Sequence, residues 1–263
     1  MTYTDLRDKV AVITGGANGI GKAAAGALLA EGTKVAIVDI STDGLAEAAA
    51  ELGAKDGRLI TLKADVSKEN DVMAYVKAAV DAFGTIDVFF NNAGIEGKVA
   101  PIIEQEAEDL DRVLAINVRG SFLGLKHVLP IMYAKKAGSV INTSSIGGLS
   151  SVGTGTSPFG ASKFAITGLT RMIAMESAPY GVRVNSVHPG VTNTQMMRRL
   201  KVGHADQAGR ADAAGKNDQV GIPIPLGRWG EPSDIANMVL FLASDASSFA
   251  TGSQFVIDGG TLT

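Results

Sequence analysis

The fold is decided by residues 10–21, which read VAVITGGANGIG. The apolar, β-branched run Val10–Ile13 predicts a buried strand, and an alanine-rich helix is predicted from about Ile20 to Glu31. Glycines between a strand and a helix let the backbone turn tightly and let a ligand approach the first N–H groups of the helix. Taken alone, such a glycine cluster is also compatible with an ordinary strand-to-helix turn.

The residues after this stretch indicate which ligand the turn would hold. A second strand is predicted over Val35–Val38, and Asp39 follows it, 24 residues beyond Gly15. In a strand–helix–strand unit this spacing places a carboxylate at the adenosine ribose while the pyrophosphate lies at the helix N-terminus. We therefore predict a dinucleotide site formed by Gly15, Asn18, Gly19, Ile20, Gly21, Asp39 and Ile40.

Asp39 also bears on the choice of dinucleotide. A carboxylate there would accept hydrogen bonds from the ribose hydroxyls and would repel a 2′-phosphate. No Arg or Lys lies within the glycine turn or directly after Asp39 to neutralise that phosphate. The sequence therefore predicts NAD rather than NADP as the cofactor, unless Asp39 is only a solvated aspartate at the end of a strand.

The rest of the chain alternates short apolar runs with helical segments. Strands that are apolar on both faces and separated by helices predict a parallel sheet covered on both sides. We expect an α/β fold with a Rossmann-type doubly wound parallel sheet, in a single domain over residues 1–263. Residues 192–228 are polar and glycine-rich without a clear core pattern, and they are predicted to form a mobile lid. Further strands are predicted at 58–62, 86–90, 139–142, 182–187 and 254–257.

The composition argues against several classes of function. The net charge of -3 and a pI near 5.7 provide no basic field for nucleic acid. The chain has no cysteine, and His127 and His204 lack the spacing of metal ligands, so we predict no metal site. Neither a signal-peptide core nor an apolar run of about eighteen residues is present, which predicts a cytoplasmic protein without a membrane partner.

The order of the motifs resembles the short-chain dehydrogenase/reductase family over essentially the whole chain. The resemblance rests on the glycine turn, Asn91-Asn92-Ala93-Gly94, Asn117, Ser145 and Pro189-Gly190. It implies that Asp65 and Val66 contact the adenine ring. It also implies an adjoining cofactor wall and a nicotinamide contact, formed by Asn92, Ala93, Gly94, Pro189, Gly190, Val191 and Thr192.

The resemblance further implies a catalytic group of an Asn, a Ser, a Tyr and a Lys, at Asn117, Ser145, position 159 and Lys163. Position 159 is a phenylalanine in this chain. Residues four apart on a helix share a face, so Phe159 and Lys163 should point into one cleft. A tyrosine there would exchange a proton with the substrate oxygen, and Lys163 would lower the phenol pKa and hold the nicotinamide ribose. Ser145 would polarise the substrate oxygen, and Asn117 would anchor a water.

Three interpretations of Phe159 remain open. It can be an engineered replacement of tyrosine that stops turnover, it can mark a natural relative without catalysis, or another group can supply the proton. The first interpretation is favoured, because phenylalanine is nearly isosteric with tyrosine. A natural relative that had lost its activity would usually have accumulated substitutions at Ser145 or Lys163 as well. Neither His188 nor Ser157 has the helical spacing needed to replace a tyrosine hydroxyl.

The predicted substrate is a small, mostly apolar secondary alcohol or ketone. Residues 89–98, FFNNAGIEGK, resemble a subgroup of the family typified by levodione reductase, whose members act on alicyclic alcohols and ketones. The loop after Ser145 (146–149 and 152–154) adds no charge to the cleft. Met196 and Met197 follow the Pro-Gly turn, where flexible apolar side chains either contact the substrate or only pack.

The resemblance also implies a homotetramer, in which the helices near 104–135 and 159–177 pair across one two-fold axis and the C-terminal strand pairs across another. The predicted function is NAD-dependent hydride transfer between a secondary alcohol and its ketone, with little activity in the chain that carries Phe159. The alternative is a non-catalytic NAD-binding scaffold or sensor. Intact Asn117, Ser145 and Lys163 favour the enzyme, since binding alone would not require all three.

Overall fold

A computed structural model describes residues 3–53, 57–151, 155–207 and 223–263, with the backbone alone over 204–207. Its strands are β1 (Val10–Thr14), β2 (Lys34–Asp39), β3 (Leu59–Lys63), β4 (Val88–Asn91), β5 (Gly138–Thr143), β6 (Val182–Pro189) and β7 (Gln254–Ile257). They form one parallel sheet in the order β3-β2-β1-β4-β5-β6-β7. The doubly wound α/β fold expected from the sequence is confirmed.

The helices lie on both faces of this sheet. They are α1 (Gly19–Ala30), α2 (Thr42–Leu52), α3 (Glu69–Phe83), α4 (Ala107–Val113), α5 (Gly120–Lys135), α6 (Ser157–Ser177), α7 (Gln195–Gln207) and α8 (Pro232–Ala243). The helical stretch expected from about residue 104 begins instead at Ala107, and a π-helical segment, Leu114–Arg119, joins α4 to α5. None of the helices in the described ranges is both long and apolar enough to cross a membrane.

Alternation along the strands explains why both faces need apolar residues. On β1, Ala11 and Ile13 belong to the core under α1 and α8, while Val12 belongs to the core formed with α3 and α5. Phe90 and Phe89 of β4 divide between the same two cores, and both are fully buried. The carboxyl ends of the strands therefore emerge between two packed layers.

The segment predicted as a patternless lid contains α7, which the sequence analysis missed. Leu200 and Ile224 are buried, so the expectation that this segment lacks core contacts was wrong at these positions. The apolar residues of α7 follow a helical spacing at Met196, Met197 and Leu200. The cationic residues between them make this helical repeat hard to recognise in the sequence. The mobility predicted for residues 192–228 stays a prediction, and residues 208–222 of this segment lie outside the described ranges.

Candidate active site

A cavity of about 440 Å³ lies at the carboxyl ends of the strands, where the chain winds away from β1 in one direction and from β4 in the other. Open α/β sheets bind their ligands at this switch point. The predicted residues that line the cavity are Gly15, Asn18, Gly19, Ile20, Asp39, Ile40, Asp65, Val66, Asn92, Ala93, Gly94, Ser145, Phe159, Lys163, Pro189, Gly190, Thr192, Met196 and Met197. The fold thus brings together segments from most of the chain.

Three predicted residues do not line the cavity. A Cβ at Gly21 would lie 2.0 Å from the carbonyl oxygen of Gly15, so glycine is needed for α1 to pack against the turn. Val191 is buried behind the wall, and Asn117 is fully buried. The contacts of Gly21 and Val191 with a cofactor therefore stay predictions.

The glycine turn is held against β4 and β5 by Asn92. The Nδ2 of Asn92 donates to the carbonyl oxygen of Thr14 at 3.1 Å, and Thr143 Oγ1 donates to Asn92 Oδ1 at 3.1 Å. Asn18, the N-cap of α1, makes no side-chain capping bond. The first N–H groups of α1 are thus not capped by Asn18, and a helix N-terminus of this kind behind a glycine turn fits a phosphate group.

Asp39 lies at the end of β2 beside the exposed side chain of Ile40. Its Oδ2 accepts from the backbone N–H of Ala17 at 3.2 Å and its Oδ1 accepts from that of Ser41 at 3.1 Å. These bonds fix the direction of the carboxylate, and each oxygen keeps a lone pair for a hydroxyl donor. The carboxylate therefore fits a ribose diol and opposes a phosphate in the same place.

Phe159 and Lys163 both line the cavity from α6. The Nζ of Lys163 lies 5.5 Å from the centroid of the Phe159 ring and donates to the carbonyl oxygen of Thr143 at 2.8 Å. Burial lowers the pKa of the Lys163 ammonium to about 8, because desolvation disfavours its charged form. A cation that remains mostly protonated at pH 7 thus stands beside the ring at 159.

Ser145 follows β5 and is only partly buried. Its Oγ accepts a hydrogen bond from the backbone N–H of Gly147 at 3.1 Å. A hydroxyl that accepts in this way keeps its own hydrogen for donation. Ser145 lines the same cavity as Phe159 and Lys163 and can therefore donate to an oxygen bound there.

Asn117 lies in the π-helical segment, and its side chain bonds Ile95 and Ser162. Its Oδ1 accepts from the N–H of Ile95 at 2.8 Å, and its Nδ2 donates to the carbonyl oxygen of Ile95 and to Ser162 Oγ, both at 2.9 Å. Ser162 in turn donates to the carbonyl oxygen of Phe159 at 2.6 Å. The side chain braces the loop after β4 against α6, and the water contact predicted for it stays a prediction.

Sequence reasoning also missed the wall formed by α7 and the loop after β4. Arg199 lines the cavity and forms two hydrogen bonds to the buried Glu96, one of them 3.2 Å from Nη2 to Oε2. A Cβ at Gly203 would lie 2.8 Å from Val99, so α7 packs closely on this loop. The prediction that the loop after Ser145 adds no charge did not cover this wall, where Glu96 neutralises Arg199. Residues 152–154 of that loop lie outside the described ranges. Other missed lining residues are Ser41, Ala64, Ile95, Ile116, Thr143, Ser144, Thr194, Gln195 and Leu200.

The two alternative proton donors do not reach the cavity. His188 is fully buried, and both of its ring nitrogens have protein partners. Ser157 is exposed at the start of α6, and neither residue is among those that line the cavity. The geometry thus opposes the interpretation in which one of them replaces a tyrosine hydroxyl.

Comparison with known proteins identifies the family. A family model described as enoyl-(acyl carrier protein) reductase matches residues 15–262. The chain belongs to the short-chain dehydrogenase/reductase family. Levodione reductase of Leifsonia aquatica is 43% identical over 263 residues, which cover 98% of this chain and 95% of that protein. The resemblance stated from the motifs is confirmed.

Other short-chain dehydrogenases share both the sequence and the fold. Cyclohexanol dehydrogenase of Acinetobacter sp. (strain SE19) is 36% identical over 254 residues, covering 97% of this chain and 95% of that protein. The crystal structure of levodione reductase matches with a TM-score of 0.90 over 97% of each chain. The structure of NAD+-bound xylitol dehydrogenase matches with a TM-score of 0.87 at 34% identity, over 97% of this chain and 99% of that one.

Proposed function

We propose that this short-chain dehydrogenase interconverts a small, mostly apolar secondary alcohol and its ketone with NAD, provided that a tyrosine hydroxyl stands at position 159. The observation that carries the proposal is that Ser145, Phe159 and Lys163 line one cavity together with Asp39 and the glycine turn. The names of levodione reductase and cyclohexanol dehydrogenase support a ring-borne oxygen as the reacting group.

Each side chain of the site has a proposed role that follows from its chemistry. NAD, when bound, supplies the nicotinamide that accepts or delivers hydride. Ser145 donates its hydroxyl hydrogen to the substrate oxygen and holds it. Lys163 uses its remaining N–H groups for the nicotinamide ribose, and its charge favours the ionised form of a phenol at 159. Met196 and Met197 cover the apolar part of the substrate from α7, which forms the described part of the proposed lid. Phe159 supplies the ring and no hydrogen, so this chain holds its ligands without moving the proton.

A non-catalytic NAD-binding scaffold is the competing function, and Phe159 is the observation in its favour. Against it stands Lys163, whose ammonium is buried with no carboxylate among the causes that shift its pKa. Such burial costs stability, and binding alone would not require Asn117, Ser145 and Lys163 together. The two functions are separated by Phe159→Tyr, assayed with NAD against cyclic and linear secondary alcohols by the absorbance of the reduced nicotinamide.

Cofactor choice is testable in the protein as it stands. We expect NAD to bind more tightly than NADP, because the fixed carboxylate of Asp39 repels a 2′-phosphate. Like charges in contact cost several kcal/mol. Asp39→Ala should therefore lower the ratio of the NADP dissociation constant to the NAD dissociation constant by at least ~10-fold. Calorimetric titration of both cofactors into both proteins measures this ratio.

Asp39→Asn is the matched control, since it keeps the shape of the side chain and removes the charge. If repulsion decides the choice, Asp39→Asn should narrow the ratio nearly as far as Asp39→Ala does. Equal binding of NAD and NADP to the unaltered protein contradicts the assignment of NAD.

We also propose that the chain assembles as a homotetramer. The outward face of α6 carries Phe164, Met172 and Met175, which are 51%, 64% and 78% exposed. Gly168 lies on the same face, and a Cβ there would meet open space. Contiguous apolar surface of this kind is typical of protein–protein interfaces. Phe249, fully exposed just before β7, supplies a second apolar site.

The assembly is measured by light scattering during gel filtration. The unaltered protein should elute with four times its chain mass of 27.0 kDa. The double variant Met172→Lys with Met175→Lys should elute as a smaller species, because it places charges in the proposed contact. Met73→Lys, at a half-exposed site on α3, is the control and should leave the mass unchanged. A monomeric unaltered protein rules out the tetramer.

A further inference from the structure

His188 ends β6 together with Pro189, and the proposed reaction does not use it. Its side chain is fully buried and does not line the cavity. Its Nδ1 lies 2.9 Å from the carbonyl oxygen of Ser145, and its Nε2 lies 2.8 Å from the Oγ of Ser186. The ring therefore connects the end of β6 to the backbone of a residue that faces the cavity.

These two partners fix the tautomer of the ring. A carbonyl oxygen only accepts, so Nδ1 carries the hydrogen and donates to Ser145. Nε2 then has a lone pair and accepts from the hydroxyl of Ser186. Burial lowers the pKa of His188, and the two charges that act on the ring, Lys163 and Arg171 of α6, are both positive. The imidazole is thus held neutral, with its one donor aimed at Ser145.

Ser145 requires such a partner because the sheet ends before it. The backbone bond that joins the ends of the two strands runs from Ser144 N–H to the carbonyl oxygen of Val187, at 2.9 Å. One residue later, the carbonyl oxygen of Ser145 accepts from Gly148 N–H at 2.9 Å, within a short 3-10 turn. The bond from His188 ties this peptide group back to β6.

We propose that His188 is a positioning residue for Ser145, holding the serine backbone so that its Oγ–H points at the substrate oxygen. Ser186 supports it by selecting the tautomer that donates from Nδ1. This inference rests on the proposed role of Ser145 in polarising the substrate. His188 itself does not touch the substrate or exchange its proton.

The kinetic test uses Phe159→Tyr as the background. His188→Leu removes the donor, whereas His188→Asn places an amide N–H near the position of Nδ1. A misplacement of about 1 Å at a reacting group can cost ~10²-fold in rate. We therefore expect His188→Leu to lower kcat by ~10- to 100-fold and His188→Asn to recover most of that loss. The dissociation constant for NAD should stay within about twofold in both variants, since the ring does not line the cavity.

Two comparisons separate positioning from a general packing role. His127→Leu, at a partly buried site on α5 that bonds Glu69, should leave kcat unchanged. Loss of kcat in step with NAD affinity and melting temperature, equally in the Leu and Asn variants, would mean that His188 only packs. Unchanged kcat in His188→Leu also overturns the proposal.

A second measurement does not depend on turnover. The chain has three histidines, so ¹⁵N-histidine labelling with His188→Asn as the reference assigns the resonances of His188. The spectrum should show the neutral Nδ1–H tautomer at neutral pH and well below the usual histidine pKa, and Ser186→Ala should weaken that preference. An Nε2–H tautomer, or a ring that titrates like a free imidazole, overturns the proposal even if Phe159→Tyr is active. The expected tautomer in a protein without turnover would instead count against the proposed function alone.

Discussion

Phe159→Tyr is expected to raise kcat by at least ~10²-fold on a secondary alcohol with NAD. The unaltered chain offers the ring, the lysine and the serine, but it offers no acid or base on the ring at 159 to exchange a proton with the substrate oxygen. In alcohol oxidation the substrate hydroxyl must give up its proton as hydride leaves for NAD, and this transfer takes place in the transition state itself, so the lack of a base at 159 falls on kcat more than on binding. The added hydroxyl would lie on the cavity side of α6 beside Lys163, whose charge lowers the pKa of a phenol.

In Phe159→Tyr, kcat should rise while the affinity for NAD stays nearly the same. The hydroxyl does not reach Asp39 or the glycine turn, so the dissociation constant for NAD should hardly change. Substrate affinity should improve only modestly, by the ~0.5–1.5 kcal/mol that one added hydrogen bond contributes. Steady-state kinetics over a panel of cyclic and linear alcohols, together with calorimetry for NAD, measure both quantities.

Phe164→Tyr is the matched control for this experiment. It makes the same chemical change on the same helix, at a half-exposed ring that faces away from the cavity, and it should not raise kcat. Brisk turnover by the unaltered protein means that another group supplies the proton. A Phe159→Tyr protein that binds NAD and remains inactive over the whole panel supports the scaffold.

The strand–turn–helix unit was predictable because local chemistry determines it. Each residue of β1 is buried in the sheet, so its apolar run predicts the strand without information on tertiary contacts. Gly21 illustrates the same point, because only glycine tolerates the carbonyl oxygen that passes 2.0 Å from its Cβ position. The four-residue spacing of Phe159 and Lys163 likewise places both on one helix face.

The features that sequence reasoning missed depend on contacts between distant segments. The bond between Arg199 and Glu96 joins residues 103 positions apart, and neither residue type predicts it alone. Asn117 carried a family assignment, but its orientation toward Ile95 and Ser162 follows from a π-helical turn that no spacing indicated. His188 was considered as an acid because its type allows it, whereas its burial and partners oppose that role.

Lys163→Met is expected to remove the activity that Phe159→Tyr restores, by at least ~10²-fold, and to change how stability depends on pH. In the folded, cofactor-free protein the Lys163 ammonium has a pKa of about 8, against 10.5 for an unburied lysine. Between those values the unfolded chain binds one proton more than the folded one. The free energy of unfolding of the lysine protein should therefore rise with pH across this window relative to Lys163→Met.

The free energy of unfolding should rise by about 3 kcal/mol relative to Lys163→Met between the folded and the unfolded pKa of Lys163, since each pKa unit corresponds to a fixed free energy. Urea titrations of both proteins at about pH 7 and about pH 10 measure it, because other groups that titrate in this range cancel in the difference. Lys77→Met, at a site on α3 whose side chain is 76% exposed, is the control and should show no comparable change. A stability difference that stays flat from neutral to alkaline pH would mean that Lys163 is solvated. The charge of a solvated Lys163 would lower the pKa of a phenol at 159 too little to support the proposed mechanism.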